Sequence, residues 1–173
     1  MAASTDSLQN LNSLPASAAE QAFLKCCGSR NWAQRMVDTR AHRSASDLVE
    51  TANRVWWSLE PEDWLEAFRS HPKIGEKKAA AATAVEAQKW SADEQSGIKD
   101  SAQQTLAELA RLNREYEQKF GYIFIVCASG KSSEEMLAIL HERLKNDPED
   151  ELRIAAGEQA KITELRLKRL LAD

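Results

Sequence analysis

Glycine and proline are scarce in this chain, with six and four among 173 residues. So few turn formers leave little room for the many tight reversals of an all-β fold, and they favour long helices. Cysteine is scarcer still, at Cys26, Cys27 and Cys127. An odd count with two adjacent residues is a poor disulfide framework, and no Cys-x-x-Cys pair offers zinc spacing. The three are expected to be buried thiols in a reducing compartment. No run of about 18 apolar residues occurs, so no membrane span is expected. Met1 to Glu20 holds no Lys or Arg and no apolar core, so neither a secretory leader nor an Arg-rich transit peptide is expected. The ending Leu171-Ala172-Asp173 is not a peroxisomal Ser-Lys-Leu tail. The expected location is the cytoplasm, with the peroxisome as the alternative.

Basic residues nowhere gather into a stripe. The net charge is −4 with both signs interleaved, which argues against a nucleic-acid partner. There is no His-x-x-x-His, no acidic loop of calcium type and no Gly-rich phosphate loop. No metal site is expected, and if the chain is an enzyme its chemistry is expected to need no cofactor. Against these absences stand 43% hydrophobic and 29% charged residues, the balance of a globular protein. A chain of this length can bury a core without metal or disulfide staples. No internal repeat is visible.

Residues 1–16, rich in Ser, Ala and Asn, are expected to be a flexible tail, leaving 17–173 as a single helical domain. Glu20 to Cys27 predicts a short helix stopped by Gly28. Ser29 or Asn31 can cap the next segment, which carries Trp32, Met36 and Val37. Ser44 or Ser46 can cap a helix holding Leu48, Ala52, Val55, Trp56 and Leu59. Pro61 suits the first turn of another helix, with Trp64, Leu65 and Phe68 on one face and an end before Pro72. The Ala- and Lys-rich stretch 77–89 has high helix propensity and poor amphipathicity, and is expected to be a connector. Ile98, Ala102, Leu109, Leu112, Tyr116 and Phe120 recur at helical steps, and Gly121 sits where a C-terminal cap belongs. The β-prone run Tyr122–Cys127 has no convincing strand to pair with, so a lone extended segment near 122–128 is expected. Ser132 and Glu135 form a capping box before Met136, Leu137 and Leu140. Asp147-Pro148 then opens a final helix to about Leu171. The fold class is all-α, a single-domain helical bundle with one short extended segment.

Three places can carry chemistry. His71 is one of three histidines; His42, in a polar stretch, and His141, on an amphipathic helix, both read as surface residues. His71 sits at a forced helix end before Pro72, with Gly75 close behind, and such a loop can present an imidazole to a cleft. The alternative is a helix C-terminal cap, where a cation is also welcome. The second place is Ser91-Ala92-Asp93-Glu94-Gln95. Ser91 and Glu94 make a capping box, and a helix N-terminus also offers N–H groups to an anion. The third is Arg166, one turn from Ile162 and from Leu170 and so turned towards a buried stripe. It needs an anionic or hydrogen-bonding partner there, which an internal salt bridge or a ligand can supply.

At these residues the chain resembles the 2-oxo-4-hydroxy-4-carboxy-5-ureidoimidazoline (OHCU) decarboxylase family. The matching pieces are Cys26-Cys27-Gly28-Ser29, Trp64-Leu65-Glu66-Ala67-Phe68, His71-Pro72-Lys73-Ile74-Gly75, Ser91-x-x-Glu94-Gln95, Phe120-Gly121-Tyr122 through Ala128, and Lys161 through Leu167. Their order and spacing match together over about residues 20–171. The resemblance implies an all-helical homodimer without cofactor that converts OHCU to (S)-allantoin and CO2 in urate degradation. It implies His71 as the central catalytic residue and Glu94 as its partner. Pro72, Ser91 and Gln95 would bind substrate, and Arg166 would anchor an oxygen or the ring. Backbone groups of Phe124, Ile125 and Val126 would meet the ureido end. It also implies possible association or fusion with a transthyretin-like 5-hydroxyisourate hydrolase. Five tryptophans supply apolar surface for a core and an interface. Two rival readings stand beside this one: a helical binding module without catalysis, and a related cofactor-free lyase acting on another ureido substrate.

Overall fold

The computed structural model describes residues 2–72 and 103–173. The connector at 77–89 and the site candidates Ser91, Glu94 and Gln95 lie outside the described residues. Among the described residues there are eight helices and no strand, which bears out the all-α expectation. The helices are α1 (Ala2–Ser13), α2 (Ala16–Cys26), α3 (Arg30–Asp38), α4 (Ala45–Trp57), α5 (Pro61–Arg69), α6 (Gln103–Phe120), α7 (Ser133–Arg143) and α8 (Pro148–Ala172). None of these is long and apolar enough to cross a membrane.

Local sequence sets most of the helix ends. The Ser29 hydroxyl accepts the Trp32 N–H at 3.2 Å, and the Ser44 hydroxyl accepts that of Asp47 at 3.0 Å. Ser132 does the same for Glu135 at 3.1 Å, and the Asp147 carboxylate for Asp150 at 3.1 Å. Each hydroxyl or carboxylate satisfies an N–H that the first helical turn leaves without an internal partner. Pro61 and Pro148 occupy first helical positions, where a missing N–H costs nothing. Gly121 stops α6 at φ 83°, a left-handed backbone that only glycine adopts cheaply.

Within the span read as one domain, the chain forms two compact units: Met1–Ala67 with Ala160–Asp173, and Phe68–Gln159. In the first unit, Phe23 and Trp32 are fully buried and meet edge-to-face at 5.9 Å. Two indole N–H groups stitch the helices together. Trp32 donates to the Ala52 carbonyl at 3.2 Å and Trp64 to that of Trp56 at 3.0 Å. Burying each such aromatic contributes on the order of 2–3 kcal/mol, and the donated N–H keeps its polar end satisfied.

Two expectations change in this unit. The tail read as flexible over 1–16 holds helix α1, with Leu8 and Leu11 buried. The reason is a contact thirty residues away. The Asn12 side chain accepts the His42 N–H at 2.9 Å and donates to the His42 carbonyl at 2.8 Å. The Arg40 guanidinium donates to the carbonyls of Leu11 and Leu14 at 3.1 and 2.7 Å. His42, read as a surface residue, is in consequence 3% exposed and packed edge-on to Phe23. The polar stretch around it is polar because it fastens α1. His141 is exposed, as expected.

The second unit is built around α6 and α7. Leu109, Leu112, Tyr116, Phe124, Met136 and Leu140 form its buried cluster. The Tyr116 ring meets Phe120, Tyr122 and Phe124 at centroid distances of 4.6, 5.8 and 5.4 Å.

Candidate active site

Helix α5 ends at Arg69, as Pro72 requires, and the His71 N–H closes the turn by donating to the Phe68 carbonyl at 3.2 Å. The half-buried His71 side chain does more than cap its own helix. Its Nε2 lies 2.6 Å from the Gln159 amide oxygen on α8, eighty-eight residues away in sequence. Gln159 is completely buried. This tertiary hydrogen bond ties the ring to a second helix.

The run Tyr122–Cys127 forms neither helix nor strand, as expected of a lone unladdered segment, and Phe124 through Ala128 are buried. Buried backbone groups without strand partners must find others, and here side chains supply them. The Arg143 guanidinium donates to the Ile125 carbonyl. The Cys127 N–H donates to the Glu158 carboxylate at 2.8 Å, and the Cys127 carbonyl accepts from Lys131 at 2.9 Å.

Arg143 is itself held deep in the unit. Its Nε donates to the Glu151 carboxylate at 2.6 Å, and its guanidinium lies 4.7 Å from the Phe124 ring centroid. Tyr116 donates its hydroxyl to the same carboxylate at 2.6 Å and accepts from Arg143 at 3.3 Å. Asn146 adds a further donor to Glu151 at 3.0 Å. Burial pushes the Tyr116 phenol well above its ordinary range, and the nearby Arg143 charge only partly opposes this. Burial likewise pushes Tyr122 up to about 12. Both phenols stay protonated at neutral pH, and the network reaches the Ile125 carbonyl through Arg143. It fixes where the extended backbone runs.

Arg166 belongs to the first unit and is 4% exposed, which bears out the inward direction read from its neighbours. Cys26 and Cys27 are completely buried, and burial raises their thiols to about 12 and about 11. The Arg166 charge lies close enough to pull against that rise on both. Neither thiol is a nucleophile at neutral pH, because the thiolate is the reactive form. Among the described residues no group of three or more His, Cys, Asp or Glu side chains is arranged to hold a metal ion.

Sequence reasoning missed Gln159, Glu158, Arg143 and Glu151. Gln159 carried the signal that singled out Arg166. Its helical neighbours Ala155, Ala156 and Ile162 are apolar, so an amide among them needed a partner. Arg143 and Glu151 gave no such signal, since a basic last turn and an acidic first turn are ordinary complements to a helix dipole.

The fold and the histidine at its forced helix end place the chain among all-α proteins with a helix-end imidazole held by a second helix. Its family follows from comparison: the chain belongs to the OHCU decarboxylase family, whose model matches residues 12–168. It is 39% identical over 89% of its length to the uric acid degradation bifunctional protein TTL of Arabidopsis thaliana, and spans 48% of that protein. It is 28% identical over 92% of its length to the 2-oxo-4-hydroxy-4-carboxy-5-ureidoimidazoline decarboxylase of Haloferax volcanii, covering 93% of it. Among solved structures it resembles an OHCU decarboxylase crystallised in the presence of (S)-allantoin. The TM-score is 0.76 at 40% identity, over 88% of this chain and 99% of that one. The chain thus spans about half the length of the Arabidopsis relative and nearly all of the other two.

Proposed function

We propose that this chain decarboxylates OHCU to (S)-allantoin and CO2. The observation that carries the reading is the His71 imidazole. It stands at the helix end where the family motif His71-Pro72 falls, and it is held there by a buried amide. The 40% identity to a whole decarboxylase chain crystallised with (S)-allantoin supports the substrate class.

Loss of CO2 leaves an electron pair that must be stabilised, and the conjugated ring of the substrate can take it without a cofactor. The protein then has three tasks: to orient the carboxylate, to stabilise developing charge and to deliver one proton to one face. A histidine titrates near neutrality and suits the proton transfer. The guanidinium fork of Arg166 suits a planar oxygen group. Glu94 is proposed to act with His71, and Pro72, Ser91, Gln95 and the Phe124–Val126 backbone to contact substrate. The chain is further proposed to work as a homodimer, and the bifunctional relative supports a working link to a second urate-degrading activity.

Freshly oxidised urate supplied with the preceding hydrolase gives the test. Stoichiometric CO2 release with enantiomerically pure (S)-allantoin is expected. Release no faster than the spontaneous rate, or racemic product, would remove the assignment. Arg166→Lys is expected to stay inactive although it keeps the charge, because a point charge does not reproduce the bidentate fork. Full activity in that variant would take Arg166 out of the site.

A further inference from the structure

We propose that Gln159 is a positioning residue for the decarboxylation, its side-chain carbonyl holding His71 as the Nε2–H tautomer so that protons pass to and from substrate at Nδ1. The inference rests on the decarboxylase reading for its chemistry and on the geometry of the second unit for its structure.

A neutral imidazole carries one N–H and one lone pair. At 2.6 Å from an amide oxygen, Nε2 must be the nitrogen that carries the hydrogen, because that oxygen can only accept. An amide oxygen is also far too weak a base to take the proton. The Nε2 proton therefore stays where it is, and the ring's exchangeable site is Nδ1. The hold is stiff. Gln159 is completely buried, with Ala155 and Ala156 buried beside it on the preceding turn of α8. A buried amide that gives up its partner carries a desolvation cost, so the pair resists rotation of either ring or amide. The adjacent residue of α8, Glu158, accepts the Cys127 N–H of the extended segment. Two consecutive residues of one helix thus fasten the histidine and the backbone of the 123–128 run, both of them parts of the candidate site.

The full chain labelled with 15N-histidine gives a direct readout by two-bond 1H–15N correlation. There are three histidines, and His71→Ala assigns the third set of signals. The neutral His71 ring of the unaltered protein is expected to be the Nε2–H tautomer. Gln159→Met, similar in length but without the acceptor, is expected to mix the tautomers. It should lower kcat by about 10–100-fold, with little change in KM. Gln159→Glu keeps an acceptor, so it should restore the Nε2–H tautomer and raise the imidazole pKa through its charge. An Nδ1–H tautomer in the unaltered protein would mean that the amide is reversed, and would overturn the proposal. So would a Gln159→Met variant that keeps both the tautomer and kcat. The spectra need no turnover, so they judge Gln159 even if the chain fails to act on OHCU. An active enzyme with the wrong tautomer would remove Gln159 and leave the decarboxylase reading standing.

Discussion

Two short connections each carry a histidine, and they use it in opposite ways. In residues 39–44, between α3 and α4, His42 is 3% exposed and stacked edge-on to Phe23, and its backbone is clasped by Asn12. Among the described residues its Nε2 has no hydrogen-bond partner. In the turn after α5, His71 is half-buried and its Nε2 is held by Gln159. Burial therefore does not mark the histidine proposed here to act on substrate. The packing residue is the more enclosed one, and the residue proposed for proton transfer is half-buried with its Nε2 held by Gln159.

The sharpest break of this contrast is His71→Ala. Turnover should fall by about 10²–10⁴-fold, the usual contribution of a positioned acid or base, while the helical CD signal holds and the stability loss stays within the roughly 1–2 kcal/mol of an unpaired Gln159 amide. A stability loss above about 2 kcal/mol would make His71 a structural residue like His42.

Arg143→Met tests the structural side of the second unit. It leaves the buried Glu151 carboxylate without its cation and the Ile125 carbonyl without its donor. Breaking a buried pair in this way should cost about 3–5 kcal/mol, read by urea unfolding. An undiminished midpoint would show that the extended segment does not depend on that network.

His42→Ala should mirror His71→Ala. About 1–3 kcal/mol of stability is expected to be lost, with kcat per folded molecule unchanged. A drop in kcat at unchanged stability would erase the difference between the two connections.

The smallest effect is in acid. Burial holds the His42 pKa below the ordinary 6.5, with Asp47 opposing. Below that value the unfolded chain binds a proton that the folded chain refuses, so stability should fall as pH drops from about 6.5, by at most about 1.4 kcal/mol per pH unit. Asp47, held below its ordinary 3.8 by hydrogen bonds from Arg43, acts in the same sense, but only as pH falls below 3.8. Denaturant midpoints between pH 7 and 5 should slope for the unaltered chain, and the slope should lessen in His42→Ala.

What the sequence disclosed follows from how far each interaction reaches. The caps at Ser29, Ser44, Ser132 and Asp147 were legible because hydroxyl or carboxylate and N–H lie three residues apart. The stop at Gly121 and the lone extended run after it were legible for the same reason. The helical order of residues 2–13 and the burial of His42 were not, because they depend on one another across thirty residues. Of the candidate site, His71 was picked out by Pro72 and Arg166 by its apolar neighbours. Gln159 was overlooked although the same neighbour argument applied, since an amide draws less notice than a charge.

A β-strand borrows its hold from the backbone of a neighbour, which every residue type supplies, so most substitutions beside it leave the hold intact. The Phe124–Ala128 run is bolted rather than laminated: Arg143, Glu158 and Lys131 each grip one carbonyl or one N–H. Its course is therefore written in the identities of three side chains outside the run. The apolar residues of the run itself can drift among similar shapes more freely than those three positions can change at all.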